Sequence, residues 1–214
     1  MQALKRVGVT LVRSYRDWQE ERSRRSLLKA LPPSVFANRP PDALDPDWYD
    51  LGFLYRSVRE RGPTTVLEFG SGCSTAVIAQ ALVDNRTHAR FVSLETSEHW
   101  AEVTRSSLSP EHARICTVVH APPVESMHDG AAVWRHANLP DIAPDFVYLD
   151  GPPLTVERPV AVDLLDLEAT MPSGCLVVVD GRRRNAEYLR DHFERSWSYR
   201  WDVVADRATL ELAR

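Results

Sequence analysis

The chain has 214 residues, of which 43% are hydrophobic and 26% are charged, and its formal net charge is −4. That length suits one α/β domain with a complete core and a short additional segment, and the composition is ordinary for a globular protein. No apolar run approaches the roughly 20 residues that span a bilayer. The three cysteines, Cys73, Cys116 and Cys175, are far apart, and there is no CxxC pair to suggest zinc or redox chemistry. We therefore expect a cytoplasmic protein with free thiols.

Positive charge is concentrated at the N-terminus. Residues 1–30 contain eight Lys or Arg against three Asp or Glu, a net charge of +5, which leaves −9 for the remaining 184 residues. Apolar residues recur there at helical spacing and predict an amphipathic helix over 3–30, the stripe being Leu4, Val7, Leu11, Val12, Tyr15 and Trp18. Five prolines within 31–47 predict an irregular connector. We interpret 1–45 as a basic helical arm with a Pro-rich connector, and 46–214 as the main domain.

This basic arm has two interpretations. It is either a solvated helix packed on the main domain, or a surface for nucleic acid, an anionic membrane or an acidic partner. The acidity of the main domain disfavours a nucleic-acid-binding face there.

Residues 48–198 alternate between helical and strand patterns. A helix over 48–61, capped by Asp47, is followed by five short apolar runs at 66–69, 90–95, 115–120, 146–150 and 175–180. Helical patterns occupy 74–84, 97–107, 158–170 and 183–194. The alternation predicts an α/β fold with a doubly wound, mostly parallel sheet. Residues 199–213 instead predict an antiparallel hairpin at the sheet edge, with a tight turn near Asp206.

A glycine-rich turn follows the first predicted strand. Gly70-Ser71-Gly72 lacks the third glycine of the dinucleotide fingerprint, and no Gly-Lys-Ser/Thr follows it, so a phosphate-gripping loop is excluded. Glu68 ends the strand two residues before the first glycine. A carboxylate about 4 Å from a diphosphate charge would cost roughly 4 kcal/mol at an effective dielectric near 20. The same carboxylate suits a ligand with a positive ammonium or sulfonium group.

Four segments resemble motifs of the class I S-adenosylmethionine-dependent methyltransferases. The first motif of that family, an acidic residue followed by Gly-x-Gly, matches VLEFGSGCST at 66–75. Further matches follow in the family's order: FVSLETSEHW at 91–100, FVYLDGPP at 146–153 and MPSGCLVVVDG at 171–181. The resemblance covers about 64–214, including the edge hairpin. It implies the Rossmann-like fold of that family and makes 46–214 the catalytic domain.

The resemblance also implies a set of cofactor-binding residues. The backbone of residues 70–72 would pass close under the methionine part of S-adenosylmethionine. Glu68 would lie near its ammonium group, Glu95 would accept hydrogen bonds from both ribose hydroxyls, and Ala121 would lie beside the adenine. The complete predicted set is Glu68, Gly70, Ser71, Gly72, Ser74, Glu95, Thr96, Ala121 and Asp150.

Asp150 and Asp180 are the main catalytic candidates. They end the fourth and fifth predicted strands, and ligands of open parallel sheets bind outside the carboxyl ends of strands. Each could act as a general base or, as in catechol-type methyltransferases, hold a divalent metal such as Mg²⁺. Gly181 stands where that family has asparagine, which favours the metal-free interpretation. His120 and His128, which we place on a loop after the third predicted strand, are further base candidates.

Three consecutive arginines follow Asp180. Arg182, Arg183 and Arg184 could grip an anionic group of the substrate, or they could form a solvated basic turn. The sequence as a whole predicts methyl transfer from S-adenosylmethionine to an oxygen, or less favourably a nitrogen, of a small molecule. The alternatives are a metal-dependent, non-methylating enzyme on the same fold and a non-catalytic binding module. A nicotinamide dehydrogenase is the least favoured alternative, because Glu68 would repel the diphosphate of its cofactor and the third glycine of the fingerprint is absent.

Overall fold

A computed structural model describes residues 2–37 and 40–214, without the side chains of 2–13, 34 and 37. The helices of the described part are α1 Gln2–Ala30, α2 Ser34–Ala37, α3 Trp48–Arg61, α4 Cys73–Asn85, α5 Glu98–Ser107, α6 Asp163–Leu167 and α7 Arg183–His192. Its strands are β1 Thr65–Phe69, β2 Arg90–Glu95, β3 Cys116–His120, β4 Pro123–His128, β5 Ala131–His136, β6 Phe146–Leu149, β7 Leu176–Asp180, β8 Trp197–Asp202 and β9 Arg207–Leu212.

Seven of these strands form one central sheet in the order β3-β2-β1-β6-β7-β9-β8. The first five strands in this order run parallel, whereas β9 is antiparallel to β7 and β8 is antiparallel to β9. The chain winds outward from β1 to β3 and then returns to build the other half from β6. The predicted doubly wound sheet and its antiparallel edge hairpin are confirmed, and Asp206 lies in the hairpin turn at φ 53°.

Both faces of the sheet are covered by helices because the central strands are apolar on both sides. One hydrophobic cluster joins Val66, Phe91 and Tyr148 to residues of α3 and α4. The other joins Leu67 and Val147 to residues of α6 and α7. Since neighbours along a strand face opposite sides, Glu68 lies on the α4 side of β1.

Two segments differ from the sequence-based expectation. Strands β4 and β5 form a separate antiparallel hairpin with its turn at Asp129 and Gly130, whereas we predicted a loop there. The helix expected over 158–170 is shorter, because Ala161 instead makes a β-bridge with Trp134 of this hairpin. Only α6 and a 3-10 turn over Glu168–Thr170 are helical in that region.

The second half of α1 packs against the main domain. Leu27 is buried in the same cluster as the apolar residues of α4. Ser23 lies so close to Gly52 of α3 that a Cβ on that glycine would be 2.1 Å from the Ser23 hydroxyl oxygen. By contrast, Tyr15 and Trp18 are 55% and 56% exposed. This packing agrees with the solvated-helix interpretation, and the domain division at 45/46 stays a prediction.

Part of the predicted apolar stripe of α1 lies outside the described side chains, namely Leu4, Val7, Leu11 and Val12. In the described residues, no helix has both the length and the apolar character required to cross a membrane. Cys116 and Cys175 are buried free thiols.

Candidate active site

A pocket of about 590 Å³ opens at the carboxyl ends of the parallel strands. It lies at the switch point between β1 and β6, where the strand order reverses and where open α/β sheets bind ligands. The turn after β1, the ends of β2, β6 and β7, helix α5 and the connector before α3 all contribute to its lining. The fold therefore brings most of the predicted site residues to one place.

The turn after β1 passes very close to the turn after β6. Gly70 has φ +91°, and a Cβ added to it would lie 3.1 Å from the carbonyl carbon of Asp150. A Cβ on Gly151 would lie 2.7 Å from the Gly70 nitrogen. Gly70 is thus required by its left-handed backbone and by this backbone crossing. Gly72 differs, since a Cβ there would meet no atom within 4 Å and the residue lines the pocket.

Glu68 is completely buried beneath the glycine turn. Its Oε2 accepts hydrogen bonds from the hydroxyls of Thr75 and Ser93, both at 2.6 Å. Thr75 Oγ1 also accepts from the Gly72 amide at 2.9 Å, so the carboxylate holds the turn through Thr75. The other oxygen, Oε1, has no hydrogen-bond partner among the described residues. Burial raises the pKa of Glu68 to about 7.

Glu95 holds the other side of the glycine turn. Its Oε2 accepts from the Ser71 amide at 2.9 Å and from the Ser71 hydroxyl at 3.0 Å. Its Oε1 accepts from the Ser97 amide at 3.0 Å and from the Thr96 hydroxyl at 3.3 Å. The carboxylate lines the pocket while already accepting four hydrogen bonds.

Asp150 and Asp180 both line the pocket, as the sequence predicts. Burial, and then the nearby charge of Asp180, raises the pKa of Asp150 to about 6, although its side chain is 50% exposed. Burial raises the pKa of Asp180 too, and the Tyr148 hydroxyl, which donates to its Oδ2 at 2.7 Å, acts in the opposite direction. Among the described side chains, these carboxylates are not part of a group of three ligand atoms within 4.8 Å of one another.

A buried ion pair closes the pocket behind α3. Arg207 of β9 donates to Asp50, and its guanidinium carbon lies 3.5 Å from the centre of the Phe53 ring. Burial, and then the charge of Asp180, raises the pKa of Asp50 to about 7. Asp50 lines the pocket together with Asp47, whose side chain caps α3 by accepting from the Tyr49 amide at 2.9 Å.

Several predicted residues do not reach the pocket. Glu68 and Ala121 are absent from the described lining, and so is His120, whose Nε2 lies 3.2 Å from the Thr96 carbonyl oxygen. His128 belongs to the separate β4–β5 hairpin. Ser74 and Thr96, by contrast, line the pocket, and their part in cofactor binding stays a prediction.

None of the three consecutive arginines lines the pocket in the described structure. Arg182 turns back to donate to the carbonyl oxygens of Pro152, at 2.6 Å, and of Asp150. Arg183 pairs with Glu187 of its own helix at 2.8 Å, and Arg184 is exposed. Adjacency to Asp180 in sequence suggested a grip on an anionic substrate as one of two interpretations. Arg182 is instead held by backbone carbonyls beside Asp150, and Arg183 and Arg184, in the first turn of α7, lie outside the lining.

The pocket lining contains residues that the sequence interpretation missed. They include Asp50 and Leu51 of α3, Trp100 and Val103 of α5, and the connector residues Pro40 and 42–47. The spacing of Trp100 and Val103 gave a signal, because positions three apart on a helix share a face. No comparable signal pointed to the connector.

The chain belongs to the family described as methyltransferase domain, whose model matches residues 67–181, more than half of its length. This confirms the class that the ordered motifs predicted. No curated protein sequence matches the chain.

Solved structures of methyltransferases share the fold. A Podospora anserina methyltransferase bound to S-adenosylhomocysteine has a TM-score of 0.57 at 13% identity, covering 86% of this chain and 89% of its own. The Bacillus cereus O-methyltransferase with the same ligand has a TM-score of 0.52 at 19% identity, and the match covers 92% of this chain and 91% of the Bacillus protein. A third structure is the O-methyltransferase TomG of Streptomyces achromogenes, which is involved in tomaymycin synthesis and is in complex with S-adenosylmethionine. Its TM-score is 0.57 at 18% identity, and the match covers 86% of this chain and 91% of TomG. At these identities the likeness establishes the fold alone.

Proposed function

We propose that this methyltransferase binds S-adenosylmethionine in the switch-point pocket and methylates an oxygen of a small molecule. The observation that carries the proposal is the glycine turn, with Glu95 beside it, at the point where the strand order reverses. The pocket volume of about 590 Å³ is in the range of small-molecule sites. Bound there, the sulfonium would supply an already activated methyl group.

Two features of the pocket support binding of this donor. Gly72 leaves open space beside the turn, since a Cβ there would meet no atom within 4 Å. The carboxylates of the lining suit a positively charged ligand. Trp100 and Val103 of α5 offer an apolar wall, which we assign to the adenine in place of Ala121.

Asp150 is the general base of the proposal. Its pKa of about 6 leaves it ionised at neutral pH yet basic enough to take a proton from an acceptor hydroxyl. Asp180 acts as an orienting group, because the Tyr148 hydroxyl fixes its Oδ2. His120 has no part in this assignment.

The acceptor is neutral or carries a positive group. The pocket lining contains seven carboxylates and, among the described residues, no Lys, Arg or His; these acids are Asp42, Asp45, Asp47, Asp50, Glu95, Asp150 and Asp180. Arg16, Arg182 and Arg207 offset part of this charge from outside the lining, but an anionic acceptor would still meet carboxylates and no cation in the lining itself. This replaces the anionic substrate that the three arginines suggested.

Calorimetry with S-adenosylhomocysteine tests donor binding. We expect one site per chain, and Gly72→Val should weaken binding because the new side chain would occupy pocket space. Ala113→Val, an enlargement at an exposed position, is the control and should bind normally. Equal affinity in the wild type and a folded Gly72→Val variant would contradict the assignment.

Methyl transfer from labelled donor to panels of phenols, alcohols and amines tests the acceptor class. Products methylated on oxygen support the proposal, and labelling of amines alone would replace it with N-methylation. Absence of donor and product binding would favour a non-catalytic module. Metal-dependent turnover without methyl transfer would favour the other alternative.

A further inference from the structure

A group of potential metal ligands lies away from the pocket, between the β4–β5 hairpin and the end of α7. His128 is the last residue of β4, Asp129 lies in the hairpin turn, and His192 is the last residue of α7. One ligand atom from each of the three side chains lies within 4.8 Å of the other two. None of the three lines the pocket, so this is a separate site.

Tyr188 orients both imidazoles. His192 Nδ1 lies 2.8 Å from the Tyr188 carbonyl oxygen, which can only accept, so this nitrogen carries the proton. The Tyr188 hydroxyl donates to the His128 carbonyl oxygen at 3.2 Å and can therefore accept from His128 Nδ1 at 2.8 Å. In these tautomers, assigned from the hydrogen bonds, each neutral ring keeps its lone pair on Nε2.

We propose that His128, Asp129 and His192 bind one divalent transition-metal ion of the Zn²⁺ class. Two imidazoles and one carboxylate, with a water in the fourth position, form a common zinc ligand set. His192 Nε2 lies 3.5 Å from Asp129 Oδ2, close to the roughly 3.3 Å between ligands of a tetrahedral ion with bonds of 2.0–2.1 Å. Mg²⁺ is a poor match, because it prefers oxygen ligands.

The site is accessible to solvent, and a hydrogen bond that would support a metal-binding histidine is already formed. The side chain of Asp129 is 73% exposed, and that of His192 is 26% exposed, so an ion can enter from solvent. A hydrogen bond from the second ring nitrogen to a backbone carbonyl, as in His192, is the usual support of a metal-bound histidine. The plain alternative is a solvent-exposed His192–Asp129 ion pair.

Ion binding would clamp the hairpin to α7. Elsewhere the hairpin is attached to residues 160–163: the Trp134 amide donates to the Val160 carbonyl oxygen at 2.8 Å, the Val162 amide donates to the Trp134 carbonyl oxygen at 3.1 Å, and the His136 amide donates to Asp163 at 2.6 Å. An ion held by ligands from both elements binds the folded state selectively and therefore stabilises it.

Calorimetry and thermal unfolding of tag-free, chelator-stripped full-length protein with ZnCl₂ test the site. We expect one Zn²⁺ per chain and a rise in Tm. His192→Ala should weaken binding by at least about tenfold, and Tyr188→Phe, which leaves all ligands in place, by about 10–100-fold. Asp129→Asn tests the carboxylate while keeping a residue that tolerates the turn backbone at φ 49°. His88→Ala, at an exposed histidine elsewhere, should bind as the wild type.

Absence of Zn²⁺ binding would overturn the proposal and leave the ion pair. Equal binding by the wild type, His192→Ala and Asp129→Asn would place the ion elsewhere and would also overturn it. Competition by equimolar MgCl₂ would point to the carboxylates of the pocket instead. Because S-adenosylhomocysteine affinity is measured separately, failure here leaves the proposed function untouched.

Discussion

Replacing Glu68 with glutamine should remove a pH-dependent loss of stability. Glu68 is completely buried, and burial raises its pKa from 4.5 to about 7. A carboxyl whose pKa is raised by folding stabilises the protein fully below its unfolded pKa, and this stabilisation is lost as pH rises through the folded pKa. The shift of about 2.5 pH units corresponds to roughly 3 kcal/mol at 1.36 kcal/mol per unit. Most of this amount disappears between pH 5 and pH 8.

Urea unfolding of the wild type and Glu68→Gln at several pH values from 5 to 8 measures the effect. The amide keeps an acceptor for Thr75 and Ser93 but places an NH₂ group where Oε1 has no described partner, which adds a pH-independent cost. The prediction therefore concerns how the free energy of unfolding changes with pH, not its value at one pH. The free energy of unfolding of the wild type, relative to the variant, should fall by roughly 3 kcal/mol as pH rises.

Other buried acids titrate in both proteins and cancel in this difference. Glu102→Gln, at a side chain that is 68% exposed, is the matched control and should leave the pH dependence of the wild type unchanged. A wild-type-minus-variant difference that stays constant within about 0.5 kcal/mol from pH 5 to pH 8 would refute the argument that burial opposes ionisation of Glu68.

Three further predictions concern the pocket. Asp150→Asn should lower kcat at least about tenfold while leaving S-adenosylhomocysteine affinity nearly unchanged. The activity of the wild type should rise as pH increases through about 6. A variant with normal kcat would exclude Asp150 as the base. Glu95→Gln should weaken S-adenosylhomocysteine binding by about 1.5–3 kcal/mol in calorimetry, whereas a loss of only a few tenths would limit Glu95 to holding the glycine turn. Methyl transfer should continue after chelator treatment at temperatures below the Tm. Complete loss of activity in chelator, restored by MgCl₂, would show that the metal-free interpretation of Asp150 and Asp180 is wrong.

The parallel strands and the pocket position could be predicted from sequence because the pattern is physically redundant. The parallel strands β1, β2, β6 and β7 are short, mostly apolar runs buried on both faces, so polar residues mark their ends. Glu95 and Asp180 are such residues, and parallel strands place their carboxyl ends on one side of the sheet. The β4–β5 hairpin was missed because neither strand is a continuous apolar run: β4 includes Glu125, Ser126 and His128, and β5 ends in Arg135 and His136. Its Asp129-Gly130 turn was nevertheless a usable hairpin signal.

The direction of side chains and the contacts between distant segments could not be predicted. Asp50 and Arg207 are 157 positions apart, and only the packing of α3 against β9 brings them together. Arg182 directly follows the pocket in sequence, yet its guanidinium satisfies backbone carbonyls outside the lining. A single sequence carries no record of such pairings, so the acidity of the pocket emerges only in the fold.

That acidity has a consequence for donor and product. Three of the pocket acids are paired with arginines, which offset part of their charge. Arg16 donates to Asp47 at 2.6 Å, Arg207 donates to Asp50, and Arg182 lies 3.5 Å from Asp150 Oδ1. S-adenosylmethionine carries a sulfonium charge that S-adenosylhomocysteine lacks, so ionisation of the pocket acids should favour the donor selectively.

Because the pKa of Asp150 is about 6 and that of Asp50 about 7, the affinity ratio of donor to product should increase as pH rises from 5 to 7.5. We expect an increase of roughly threefold to tenfold, equivalent to about 0.7–1.4 kcal/mol. Parallel calorimetric titrations of both ligands at each pH measure the ratio, and Asp150→Asn should flatten its rise. A ratio that stays constant across this range would show that the pocket acids do not contribute to recognition of the methyl donor.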